Sequence, residues 1–248
     1  MPPKYLDDAE SRISSNVRKF QQIITQAKSR GVNEADTRDI VKAIIAELLG
    51  FDPFFEVTGE FSIKGQFADF AVKQGDNILF FVEVKSIETK LDEKHLFQVI
   101  GYAANYGVEW AVLTNANRWI VYRLFSGDEK RTEVVVDIDF LTTSPKDITE
   151  AFLKFSKEGF KQALLHKHWS NLQALNPKKL GAMLCSESVL ALVKKEVFKQ
   201  SSLRISEDAL YDIVLNQVLR GDIADDIKAA TMVNGKKVAP KVDKNQTE

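Results

Sequence analysis

The run 78-ILFFVEV-84 constrains the fold more than any other part of this 248-residue chain. In a β-strand successive side chains point to opposite faces, so a run apolar at nearly every position must be covered on both sides. The segment 67-FADFAV-72 precedes it, and Gly75-Asp76-Asn77 between them supplies turn chemistry. The pair therefore predicts a hairpin whose second strand is central to a sheet with layers on both faces.

The surrounding periodicities supply those layers. Ile13, Val17, Phe20, Ile24 and Ala27 recur at helical spacing over residues 6–30, and Gly31 ends that helix. A second helix is predicted from Ala35 to Leu49, with Asn33 as its cap and Gly50 as its stop. After Pro53, strands are expected over 54–63, 67–72 and 78–84. Residues 92–106 return to helical periodicity through Leu96, Val99, Ile100 and Ala103. Segments 108–115 and 118–125 then form a hairpin around Asn115-Ala116-Asn117, and 132–139 reads as an edge strand. The fold class is thus α/β, with a mixed central sheet, a crossover helix and flanking helices.

From Pro145 onward the pattern is helical. Segments 147–156, 186–198 and 206–219 each open on a Ser or Asp suited to capping. The expected organisation is a sheet-bearing domain over 1–145, with its core at about 30–125, a helical region over 146–221, and a disordered tail over 222–248.

Composition excludes several classes. A hydrophobic share of 44% with 28% charged residues belongs to a folded globular chain. Cys185 is the one cysteine, which rules out an intramolecular disulfide and a cysteine-built zinc site. No stretch is apolar enough to span a bilayer, so the expectation is a cytoplasmic protein without a membrane partner. The net charge of −1 hides an asymmetry: residues 1–150 carry 18 Lys+Arg against 24 Asp+Glu, and the remainder 16 against 11. An acidic site beside a basic partner surface produces such a split, and so do ordinary solvated helices.

Three charged residues interrupt the apolar strands. Glu83 and Lys85 are two apart and share a face, while a turn centred near Asp76 brings Asp69 opposite Glu83. Carboxylates that close repel unless a cation compensates. A divalent ion such as Mg²⁺ or Mn²⁺ takes hard oxygen ligands and often only one or two carboxylates. Lys85 then stands where it can orient or deprotonate a water, or stabilise charge on a phosphoryl oxygen. The triplet alone also admits a plainer reading, in which strand-end carboxylates face water and Lys85 pairs with one of them.

Neighbouring motifs weigh on this choice. Gln98 and Tyr102 share a helix face at i and i+4, as do Glu34 and Arg38 near the start of the second helix. The ordered set NEADTRDIVKAIIAELLGFDP, ADFAV…FVEVKS and HLFQVIGYAANYGVEWAVLTNANRWIVYRL resembles the PD-(D/E)xK nuclease superfamily. More narrowly, it resembles the N-terminal nuclease domain of type I restriction enzyme R subunits and their stand-alone relatives, over about residues 30–125. The resemblance implies a restriction-endonuclease-like sheet, with Asp69 and Glu83 as metal ligands and Lys85 as the catalytic lysine. It implies that Gln98 and Tyr102 contact DNA or support the metal site, and that Glu34 completes the acidic cluster. Glu47, on another face of the same helix, is the weaker alternative. The family's Pro-Asp is here Ala68-Asp69, and no Gly-rich phosphate loop for a helicase motor is present.

The function so implied is Mg²⁺- or Mn²⁺-dependent hydrolysis of DNA by an endonuclease related to restriction or defence. The rival is a catalytically inactive nuclease fold that binds DNA or assembles with other restriction-modification subunits. A homodimer follows from the resemblance, since enzymes that cut both strands often pair. Other polar groups carry less: His166 and His168 diverge on a helix, Trp110 and Trp119 suit a core, and Arg118 and Arg123 suit phosphate or an edge. Ser186 and Cys185 lack a histidine partner for a hydrolase triad.

Overall fold

The computed structural model describes residues 4–63, 66–95, 100, 103, 106–125 and 132–232. Within it the chain divides into two compact units, residues 1–169 and 170–248.

The first unit opens with α1 (Lys4–Arg30) and α2 (Glu34–Glu47). Ile13, Val17, Phe20 and Ile24 of α1 are buried, as the spacing predicts. Asn33 caps α2 by accepting from Asp36 N at 2.9 Å. At the other end of α2, Arg12 donates to Leu48 O at 3.2 Å and makes a bidentate pair with Glu158. Gly50 lies under that guanidinium at φ +80°, where a β-carbon would come 2.5 Å from Arg12 Nη2. Only glycine fits there without shifting the arginine.

Six strands follow: β1 (Val57–Ile63), β2 (Gln66–Gln74), β3 (Asn77–Val84), β4 (Trp110–Thr114), β5 (Arg118–Leu124) and β6 (Thr132–Asp139). They form one sheet in chain order, antiparallel throughout except for the parallel pair β3/β4. That pair needs a crossover, and Ile100 and Ala103 within it are helical and buried. The mixed α/β sheet flanked by helices is the predicted class. Phe80, Val82 and Val84 face a core shared with α1 and α2, while Phe81 faces a second core with Leu91, Ile100 and Ala103. This two-sided burial explains the unbroken apolar run.

One predicted strand start moves. Residues 54–56 form a turn, because Asp52 Oδ1 accepts from Phe54 N at 2.8 Å and Phe55 N at 3.1 Å. This local competition by an aspartate side chain overrides the β-propensity of the phenylalanines. Helices α3 (Pro145–Lys154) and α4 (Lys157–Lys161) then pack on α1, and α5 (Leu164–Ala174) follows. The cap of α3 is Ser144, three residues before Asp147.

The second unit holds α6 (Pro177–Leu184), α7 (Glu187–Ser201), α8 (Glu207–Ile213), a π-turn over Val214–Val218, and α9 (Gly221–Met232). Its small core comprises Cys185, Leu215, Ile223, Ala224 and Ile227. Helix α9 occupies the first part of the stretch whose composition predicts a tail. Ile223, Ala224 and Ile227 give it a short buried stripe that mean polarity conceals. Residues 233–248 lie outside the described residues.

Candidate active site

The tight turn at Gly75-Asp76 starts the β2/β3 register with Gln74 opposite Asn77 and Lys73 opposite Ile78. Continued unchanged, that register would set Asp69 against Val82. A bulge between Val72 and Lys73 inserts one residue, so that Val72 pairs with Phe80 and Phe70 with Val82. The next position in that ladder sets Asp69 against Glu83. Asp69 Oδ2 then accepts from Val84 N at 2.8 Å, taking a donor at the end of β3.

Glu83 is buried, its side chain only 4% exposed, and its two oxygens differ. Oε1 accepts from Lys85 Nζ at 2.6 Å. Oε2 is buried and has no hydrogen-bond partner among the described residues. An orphaned carboxylate oxygen is costly, and such groups mark places where an ion or water is wanted. Burial is the largest influence on Glu83. Lys85 opposes it by hydrogen bond and charge, Asp69 and Glu34 reinforce it, and the carboxyl is pushed up to about 7. Asp69 is also raised, by burial first, against the pull of Val84 N–H, Arg38 and Lys85. Burial by itself lowers Lys85, but Glu83's hydrogen bond and charge outweigh it and the ammonium is raised overall.

Three further side chains bear on this corner, Arg38, Glu60 and Glu34. Arg38 on α2 contacts Asp69 Oδ1 at 3.3 Å and Glu60 Oε1 at 3.5 Å. Glu60 has φ +48° and lies between the paired residues Gly59 and Phe61, across from Asp69 in the β1/β2 register. Glu34 is exposed in the first turn of α2, near enough for its charge to raise both Asp69 and Glu83. Glu47 pairs with Lys19 on α1. Gln98 and Tyr102 lie outside the described residues.

The loop after Lys85 is anchored from behind. Lys85 N donates to Thr114 O at 2.9 Å. Asn115 Nδ2 donates to Ile87 O at 3.2 Å and Thr89 O at 2.9 Å, while its Oδ1 accepts from Arg118 N. Asn115 is buried, so these bonds fix the chain behind the lysine.

Sequence reasoning brings Asp69, Glu83, Lys85 and Glu34 to one place but assigns no role to Arg38, Glu60 or Asn115. The i,i+4 spacing of Glu34 and Arg38 pointed to the first. Pairing β1 with β2 would have pointed to the second. Arg118 and Arg123 are both engaged by carboxylates, Asp137 at 2.7 Å and Glu109 at 2.5 Å. Trp110 and Trp119 are core residues.

Among the described residues no group of three or more His, Cys, Asp or Glu side chains is placed to hold a metal. Asp69 and Glu83 nevertheless offer a pair of carboxylates, one with a buried oxygen that has no hydrogen-bond partner, and such a pair would suit a hard divalent ion that keeps several waters. Nor does any described helix have the length and apolarity to cross a membrane.

The fold and site define an α/β domain with a carboxylate pair and a lysine at the end of a central strand. Residues 55–138, from just before β1 to the penultimate residue of β6, match the family model described as the type I restriction enzyme R protein N terminus. The match includes Asp69, Glu83, Lys85 and Asn115 and leaves Glu34, Arg38 and the helices after β6 outside it. No curated protein and no solved structure matches the chain.

Proposed function

We propose that this protein is a metal-dependent DNA endonuclease, related to restriction or defence, with Asp69, Glu83 and Lys85 at its centre. The observation that carries the reading is the buried, partnerless Oε2 of Glu83 beside Asp69, on a sheet similar to a restriction-enzyme domain. A carboxylate kept in that state without a ligand would be a pure cost to the fold.

Asp69 and Glu83 would hold Mg²⁺ or Mn²⁺, with Glu34 adding negative potential from α2. A bound divalent ion supplies Lewis-acid stabilisation at the scissile phosphate. In the hydrolysis a water oxygen bonds to phosphorus as the bond to the leaving sugar oxygen breaks; the water's proton passes to bulk solvent, and the leaving oxygen takes a proton from solvent. Lys85 is held as an ammonium by Glu83, since its pKa is raised. Its role is to orient the water and stabilise charge on the phosphoryl oxygens. Asn115 keeps the lysine's following loop in register with the site. Gln98 and Tyr102 are proposed to contact DNA or support this corner, and a homodimer or restriction-modification subunits are proposed partners.

The test is cleavage of supercoiled, linear, methylated and single-stranded DNA with Mg²⁺ or Mn²⁺. Wild type should cut at least one form, and Lys85→Ala should lower the rate by at least 100-fold with an unchanged circular dichroism spectrum. A wild type that shifts DNA mobility but leaves every form intact would instead establish the inactive binding module.

A further inference from the structure

The geometry around Arg38 points to a role beyond structure. We propose that Arg38 is the site's internal counterion, which holds Asp69 when no divalent ion is present and transfers to Glu60 when one binds. The inference rests on the metal-binding reading above and concerns how that site is loaded.

Three observations carry it. First, Arg38 is shared between two carboxylates, Asp69 at 3.3 Å and Glu60 at 3.5 Å, and is locked onto neither. A guanidinium that had settled on one partner would be expected to make the shorter, two-pronged contact seen between Arg12 and Glu158 at 2.7–2.9 Å. Second, the two acceptors differ in environment. The Asp69 side chain is 13% exposed and that of Glu60 is 76% exposed, so a short movement of Arg38 exchanges a buried partner for a solvated one. Third, Glu60 is held at φ +48°, a backbone region that costs a non-glycine residue free energy. Such strain is retained where the side chain's position matters, and the residue so strained is the carboxylate that the β1/β2 register sets across from Asp69.

The electrostatics give the exchange a reason. Asp69 and Glu83 repel each other, and both feel Glu34. Without an ion, Arg38 and Lys85 supply the compensating charge. Once a divalent ion sits on Asp69, a guanidinium on the same carboxylate becomes a like-charge neighbour. Glu60 then receives it at the surface, where an ion pair forms and breaks at little cost.

The experiment is titration of the intact chain with MnCl₂ by calorimetry, together with thermal melts with and without Mn²⁺. Arg38→Met should bind Mn²⁺ at least fivefold more tightly than wild type and show a larger Mn²⁺-induced rise in melting temperature. Arg38→Gln is the substitute if the methionine variant does not fold. Glu60→Gln should bind several-fold more weakly in the wild-type background and show no such loss in the Arg38→Met background. That coupling separates exchange from a simple change of net charge. An Arg38→Met affinity equal to or weaker than that of a wild type that does bind overturns the counterion role alone. Additive effects of the two substitutions overturn the transfer to Glu60. Absence of Mn²⁺ binding in wild type and every variant overturns the metal reading and this inference with it.

Discussion

Glu83 is a carboxylate whose two oxygens have different tasks, one fixed to Lys85 and one left open. Its pKa sets a pH window. The ordinary value of 4.5 rises to about 7 in the fold, so the folded state favours the protonated form. Stability linked to that proton is complete below about pH 4.5 and is lost as pH rises through 7. Thermal melts of the metal-free protein should therefore show wild type losing stability relative to Glu83→Gln between pH 5 and pH 8. A constant difference across that range would contradict the assignment. The same proton competes with the ion. Mn²⁺ affinity should fall toward tenfold per pH unit below about pH 7, and an affinity independent of pH from 6 to 8 would show that Glu83 is not a ligand.

At the scale of elements, the site depends on one departure from regular pairing and on one regular register. The bulge between Val72 and Lys73 brings Asp69 into line with Glu83, and the unshifted β1/β2 register places Glu60, at φ +48°, across from Asp69. Asn115, in the β4–β5 hairpin, ties the loop after β3 to the sheet. Asn115→Ala should cost about 1–3 kcal/mol, since it leaves the buried bond to Ile87 O and the part-buried bond to Thr89 O without their donor. Denaturant unfolding measures that cost, and a loss below 0.5 kcal/mol, as expected of a surface change, would contradict the anchoring role. The helices α1 and α2, the strands and their hairpins were legible because their apolar periodicities run over several turns or pleats. The pairing of Asp69 with Glu83 was legible from a turn centred near Asp76, although the turn proper lies at Gly75-Asp76 and the bulge supplies the missing residue. The turn over 54–56 was hidden by the β-propensity of Phe54 and Phe55, since the deciding bonds come from a single aspartate. Glu60 becomes legible only once β1 is paired with β2, and its positive φ is a backbone angle that no side-chain pattern encodes.

For the whole molecule, the division at residues 169/170 separates the sheet unit from a small helical unit with its own core. Every residue assigned to the site here lies in the first. A fragment of residues 1–169 should accordingly melt cooperatively and bind Mn²⁺ with the affinity of the intact chain. A fragment without a cooperative transition would show that the first unit depends on the second. The second unit's α9 escaped sequence reading because three of its described side chains, Ile223, Ala224 and Ile227, make the core, too few to offset the polarity around them. The central claim is that Asp69 and Glu83 form a divalent-ion site. A crystal of the intact chain grown or soaked with Mn²⁺ tests it most directly, through anomalous scattering. The account predicts a manganese peak in contact with Asp69 and with Oε2 of Glu83. A well-resolved map with no peak beside those two carboxylates would contradict it.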